Sequence, residues 1–170
     1  IFFPVVEPFG SYLEKKFDNP NIAKKYVFKE LYDSTLTVAH QLALAVVFES
    51  GFQCFADRAE AYLALPEQPK QFLKDVPAAW DESCLLAGYP SDYVIIARRS
   101  GNDWYIGGIN GKNEDRELEF TLPAACKDKS FKMITDGADK DTFDYRTVEN
   151  TNGMVKVKLL PNGGFAGVIR

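Results

Sequence analysis

The chain has 170 residues, 46% of them apolar, with 20 Lys and Arg against 24 Asp and Glu and a formal net charge of −4. That is enough for one large domain or two small ones, and too apolar for a disordered chain. The acidic balance argues against a nucleic-acid binder; three cysteines are too few for a disulfide scaffold; one histidine without clustered cysteines argues against a structural zinc site.

The numbering opens at Ile1 with no initiator Met, basic n-region or signal-peptide h-region, which predicts a processed or partial chain. Phe2–Pro8 reads as a short strand bracketed by prolines. If Val5-Val6 is a barrel strand, Glu7 falls at its C-terminal end, where barrel enzymes place catalytic groups. Ser11 to Lys25 reads as a loop with a turn at Asn19-Pro20. Thr35 to Phe48 is apolar almost all the way round, too short to span a membrane, and reads as a helix buried on every side and stopped near Gly51. Asp57–Leu65 and Gln68–Val76 read as further short helices, ended by Pro66 and Pro77.

From Trp80 the grammar changes to short strands separated by turn residues. They are expected at Trp80–Ala87, Tyr93–Arg99, Trp104–Asn110, Glu117–Leu122, Phe131–Thr135, Asp144–Glu149, Met154–Leu159 and Phe165–Ile169. Their spacing, and the alternation of Leu118, Phe120 and Leu122 with Glu117, Glu119 and Thr121, indicate an antiparallel sandwich or barrel. The boundary between the two parts falls near Pro77–Ala79.

Several residues carry chemistry in principle. His40 sits within the apolar helix and reads as a core histidine bonded to backbone rather than a base or metal ligand. Glu49 and Asp57 could form the carboxylate pair that glycoside hydrolysis uses, but they read more simply as a helix-end charge and an N-cap. Asp81 and Glu82 read as a solvated strand edge. Trp80, Tyr93, Trp104 and Tyr105 could form a sugar-stacking platform, but they read more simply as core aromatics. Alternation sends Trp104 and Tyr105 to opposite faces, so at most one of them is expected in the core. The glycines of Tyr105-Ile106-Gly107-Gly108-Ile109-Asn110-Gly111 lie on a strand and precede no helix, so they form no dinucleotide loop.

The segments Ala39-His40-Gln41-Leu42-Ala43-Leu44, Phe48-Glu49-Ser50, Phe55-Ala56-Asp57, Phe72-Leu73-Lys74-Asp75-Val76-Pro77 and Trp80-Asp81-Glu82 follow one another in a distinctive order. After them come Asp92-Tyr93-Val94-Ile95-Ile96-Ala97-Arg98-Arg99, Asp103-Trp104-Tyr105-Ile106-Gly107-Gly108-Ile109, Arg116, Asp136-Gly137 and Gly163-Gly164-Phe165. From about Thr35 onward this ordered set resembles family 97 of the glycoside hydrolases. The resemblance implies an α+β chain: a helical segment from the end of a (β/α)8 barrel over residues 1–78, then an antiparallel β-sandwich over 79–170. It implies a parent α-glycosidase, either an inverting α-glucosidase or a retaining α-galactosidase, that uses calcium and acts on oligo- or polysaccharide. A periplasmic or secreted setting is implied too. The family's catalytic carboxylates and calcium ligands lie upstream of the matched region, so no catalytic, cofactor or metal residue is assigned here. On this reading the segment has a structural or oligomerisation role, with no nucleic-acid partner and no membrane span. The alternative is a free-standing, non-catalytic carbohydrate-binding or interaction module.

The cysteines Cys54, Cys84 and Cys126 are expected as buried thiols, the last two being the one plausible pair. Titration of the denatured chain without reductant should find three thiols; finding only one would overturn this.

Overall fold

The computed structural model describes residues 36–51, 53, 59–149 and 153–170. The expected strand at Phe2–Pro8, the loop that follows it, and Glu7, Cys54 and Asp57 lie outside the described residues. Three helices come first: α1 (Val38–Val47), α2 (Ala59–Ala64) and α3 (Glu67–Asp75). Eight strands follow, all of those expected, with ends shifted by a residue or two. They are β1 (Glu82–Tyr89), β2 (Tyr93–Ser100), β3 (Asp103–Asn110), β4 (Arg116–Thr121), β5 (Ser130–Asp136), β6 (Phe143–Glu149), β7 (Met154–Leu159) and β8 (Gly164–Ile169). The largest shift is at β1, which begins after Trp80 and Asp81. Trp80 turns its ring onto Tyr105, 5.5 Å away, although the Asp81 N–H still donates to the Arg99 carbonyl.

The strands form a six-stranded sheet in the order β1-β2-β3-β8-β5-β6 and a two-stranded sheet of β4 and β7. Every pairing is antiparallel. Side chains alternate between the faces of a strand, so the large sheet offers two surfaces. One carries Ile95, Ala97, Trp104, Ile106, Phe131, Met133 and Phe165 and packs against Leu118, Phe120, Val155 and Val157 of the small sheet. The other carries Tyr105, Ile134 and Ala166 and packs against Leu42, Ala43 and Val46 of α1 and Phe72 of α3. The molecule is thus three layers deep: helices, large sheet, small sheet.

This layering corrects the expectation for Trp104 and Tyr105. They do point to opposite faces, but each is only 4% exposed, because both faces of the large sheet are covered. Covering on both sides also explains the glycine run of β3. A Cβ on Gly107 would lie 2.9 Å from the Val46 Cβ and 3.1 Å from the Ala43 carbonyl oxygen. On β8, a Cβ on Gly164 would lie 2.6 Å from the His40 Cα. These two glycines let the backbone of α1 settle directly onto β3 and β8.

The helix itself is narrower in its demands than its sequence implies. Seven of its ten residues are buried, while Gln41 is exposed, Leu44 half-buried and Phe48, just past its end, exposed. These three positions, spaced by three and four, form one outward stripe. The opposite outer layer is mostly charged, with Met154 its one exposed large apolar side chain among the described residues. On β4 and β7 the outward residues pair as Glu119–Lys156 at 2.9 Å, and Lys158 reaches Asp115 at 3.1 Å. Cys84 and Cys126 are not joined in a disulfide; Cys126 is buried as expected while Cys84 is only half-buried, and burial pushes Cys126 up to about 11.

The close seat of α1 should be intolerant of bulk. Gly164→Ala presses a methyl against backbone that cannot move away, so a loss of about 1–3 kcal/mol is expected in urea unfolding. Gly51→Ala, with nothing within 4 Å of the added carbon, should stay within about 0.5 kcal/mol.

Candidate functional site

Four of the six buried polar residues among those described, Thr37, His40, Asp136 and Arg98, gather at the two ends of α1. At its start, Thr37 is the N-cap: its Oγ1 accepts from the His40 N–H at 3.0 Å. The same hydroxyl donates to Asp136 Oδ1 at 2.5 Å. Asp136 closes β5 with its side chain on the helix-facing surface, and its carboxylate also accepts from the backbone N–H groups of Leu160 (2.9 Å) and Gly164 (3.1 Å). The turn between β7 and β8 completes the seat. Asn162, at φ 51°, offers its carbonyl both to the Thr37 N–H (3.3 Å) and to His40 Nδ1 (2.9 Å). Gly163 has no room for a side chain, since a Cβ there would fall 2.0 Å from Asp136 Oδ2.

At the other end of α1, the last carbonyls have no partners within the helix. Arg98 of β2 supplies them. Its Nε donates to the Val46 carbonyl at 2.7 Å and one Nη to the Val47 carbonyl at 3.2 Å. The other Nη donates to Ser83 Oγ at 2.7 Å and to Glu49 Oε2 at 3.2 Å. Arg98 is 5% exposed, and its guanidinium lies 5.9 Å from the centre of the Trp80 ring. A carboxylate near the helix start and a guanidinium at its end both match the polarity of the helix dipole.

His40 lies in this seat as a neutral core histidine. Burial is the main effect and lowers its pKa from the ordinary value of 6.5, against the opposing pull of the Asn162 and Gly163 backbone and the charge of Asp136. The unfolded chain therefore binds this proton more readily than the folded one. Stability contributed by His40 is fully present above about pH 6.5 and falls as the pH drops below that value.

The remaining sequence candidates are brought to structural posts. Glu49 bonds Arg98; Asp81 and Glu82 both reach Arg99, each at 3.2 Å. Tyr93 packs under Arg116, whose guanidinium grips Asp92 with two bonds of 2.8 and 2.6 Å. The four aromatics do not form an exposed platform: Trp104 and Tyr105 are buried, and Trp80 and Tyr93 are half-buried. Among the described residues no group of three or more His, Cys, Asp or Glu could hold a metal ion, and no helix is long and apolar enough to cross a membrane. The posts of Arg98 and Asp136 were not assigned from sequence, although both lie inside segments quoted for the resemblance.

A family model described as "Glycosyl-hydrolase 97 C-terminal, oligomerisation" matches residues 79–170. The chain belongs to glycoside hydrolase family 97. Among curated proteins it is 38% identical over 137 residues to a retaining alpha-galactosidase of Bacteroides thetaiotaomicron, and 35% identical over 131 residues to a probable retaining alpha-galactosidase of Streptomyces bingchenggensis. Each match covers 76% of this chain and 20% of the relative, so the chain spans about a fifth of the length of these relatives. Among solved structures it resembles a family 97 enzyme in complex with acarbose from Pseudoalteromonas sp. strain K8, with a TM-score of 0.68 and 32% identity over 81% of this chain and 23% of that one. A beta-arabinopyranosidase gives a TM-score of 0.72 at 29% identity, covering 79% of this chain and 21% of that one.

Two measurements test the family 97 seat of α1. Arg98→Ala leaves buried helix-end carbonyls without donors and should cost about 2–4 kcal/mol, whereas Glu49→Gln, at an exposed carboxylate, should cost less than about 1 kcal/mol. His40 is the sole histidine, so a fall in melting temperature beginning as the pH drops below about 6.5 should be much reduced in His40→Gln.

Proposed function

We propose that this chain is the C-terminal part of an α-glycosidase, with α-galactoside hydrolysis as the parent's activity. In this reading α1, α2 and α3 are the last helices of a (β/α)8 catalytic barrel. The strands form a non-catalytic domain that holds the barrel's end and supports self-assembly. The observation that carries it is the double-ended seat of α1. A helix that precedes the strand domain in sequence is bonded into that domain's sheet by Asp136, Asn162 and Arg98. The curated α-galactosidase matches run over 137 and 131 residues, longer than the strand domain alone. The apolar part of the outward stripe, Leu44 and Phe48, is the side such a helix would turn to its barrel.

On this reading the parent's substrate is an oligo- or polysaccharide, its setting periplasmic or secreted, and its calcium is held by residues outside this chain. The described residues do not fit that metal. Their most buried carboxylate, Asp136, is already bonded by the Thr37 hydroxyl and by two backbone N–H groups. Hydrolysis needs two carboxyl groups flanking the bond that breaks, and no such pair is assigned here. The segment's contribution is to fix the position of the barrel's end.

The purified chain should not release aryl alcohol from aryl α-galactosides or α-glucosides, while the protein extended to the length of its relatives should cleave the galactoside. Turnover by the isolated chain that Glu49→Gln abolishes would overturn the proposal, as would an extended protein active on neither substrate.

A further inference from the structure

Beside α1, on the same face of the large sheet, an open groove of about 330 Å³ runs between α3 and the edge strand β6. That volume lies at the lower end of the range of small-molecule sites, ~300–1,000 Å³. Its floor is apolar, made by Ile134 of β5 and Val168 of β8. Register places Tyr145 opposite Ile134, and Thr147 opposite Lys132, so one wall carries a phenol ring and a hydroxyl beside an ammonium group. Tyr145 is 38% exposed, and burial raises its pKa, which keeps the phenol a proton donor.

The groove is held open by bonds at its end. The Tyr105 hydroxyl donates to the Asp75 carbonyl at 3.0 Å, and Arg170 pairs with the Asp75 carboxylate. Most of its charges are already answered: Arg170 by Asp75 and Asp103, Arg146 by Asp144. The side chains of Lys132, Gln68 and Thr147 and the Tyr145 hydroxyl have no bonding partner among the described residues, so their donors and acceptors remain available to a ligand. A single free cation is poor provision for a phosphate or a polyanion, and the amides and hydroxyls are too many for a lipid chain. An apolar strip, one aromatic ring and a fringe of neutral hydrogen-bonding groups suit a neutral polyol with one apolar face.

We infer that the groove between α3 and β6 is a non-catalytic pyranoside-binding site, with Tyr145 stacking on the sugar's apolar face and Lys132 and Gln68 bonding its hydroxyls. This rests on the glycosidase reading, in which the segment would hold saccharide close to the barrel without cleaving it.

The test is an amide NMR titration of the full 170-residue chain with methyl α-galactoside and, separately, methyl α-glucoside. Saturable shifts are expected at Lys132, Tyr145 and Val168. Tyr145→Ala should weaken binding by about tenfold or more at unchanged melting temperature. Lys132→Ala, at an exposed position, gives a second variant should the first unfold. Absence of saturable shifts with both sugars would overturn the inference, and so would shifts that both variants leave intact. Binding of methyl α-glucoside alone would support the groove as a pyranoside site while counting against α-galactoside as the parent's substrate, so the two readings fail separately.

Discussion

The structure depends on how α1 is fastened to the six-stranded sheet. Its apolar contacts supply much of the attraction: Leu42, Ala43, Val46 and Val47 are buried, and each large side chain removed from water contributes roughly 1.5–3 kcal/mol. Such contacts are non-directional and would permit the helix to slide along β3 and β8. The polar bonds at its two ends do not. Asp136 reaches the N-cap, Asn162 holds the first turn, and Arg98 takes the last carbonyls. Leaving any one of these buried groups unbonded costs about 1–3 kcal/mol, so a shift of even one turn is strongly opposed. Burial holds the helix down and the end bonds fix its register.

The constraint reaches outward from the seat. Asp136 can serve the helix because β5 ends beneath it. The turn before β8 must present Asn162 and leave Gly163 bare, since any side chain there would collide with the Asp136 carboxylate. Arg98 in turn is steadied by Ser83 of β1 and by the Trp80 ring, so the first two strands are tied to the far end of the helix. Strands that are distant in sequence are therefore connected through one helix. That is a reason for the helices and the strand domain to behave as one body rather than two joined by a linker.

Much of this architecture was legible in the sequence. Alternation in Leu118-Glu119-Phe120 and Val155-Lys156-Val157 shows strands with one wet face, and the turn residues between strands placed all eight. The helix pattern of Thr35–Phe48 showed burial. What the sequence did not reveal was long-range polar pairing. Arg98 on a strand reads locally as a solvent-facing residue, because its partners at Val46, Val47 and Glu49 lie about fifty positions earlier. Asp136 is paired with a threonine 99 residues away. The fate of Trp104 and Tyr105 was misread for a related reason: alternation gives the face of a residue, but only the tertiary arrangement shows that both faces are covered. The groove beside α3 is built from helix α3, four strands and the C-terminal Arg170, and no local pattern announces it.

The two outer layers of the molecule differ in a way that bears on partners. The β4–β7 face carries charges already paired, Lys156 with Glu119 and Lys158 with Asp115, so covering it would desolvate them for little return. The helix-bearing side is different. It presents Leu44 and Phe48 along the outward stripe of α1, and Leu85 of β1, 66% exposed, lies opposite half-buried Ile96 on the same face of the sheet. Burying apolar groups that stand ready beside a rigid seat requires little reorganisation. In the proposed reading, this asymmetry directs the barrel to the helix-bearing side and leaves the charged outer face to water.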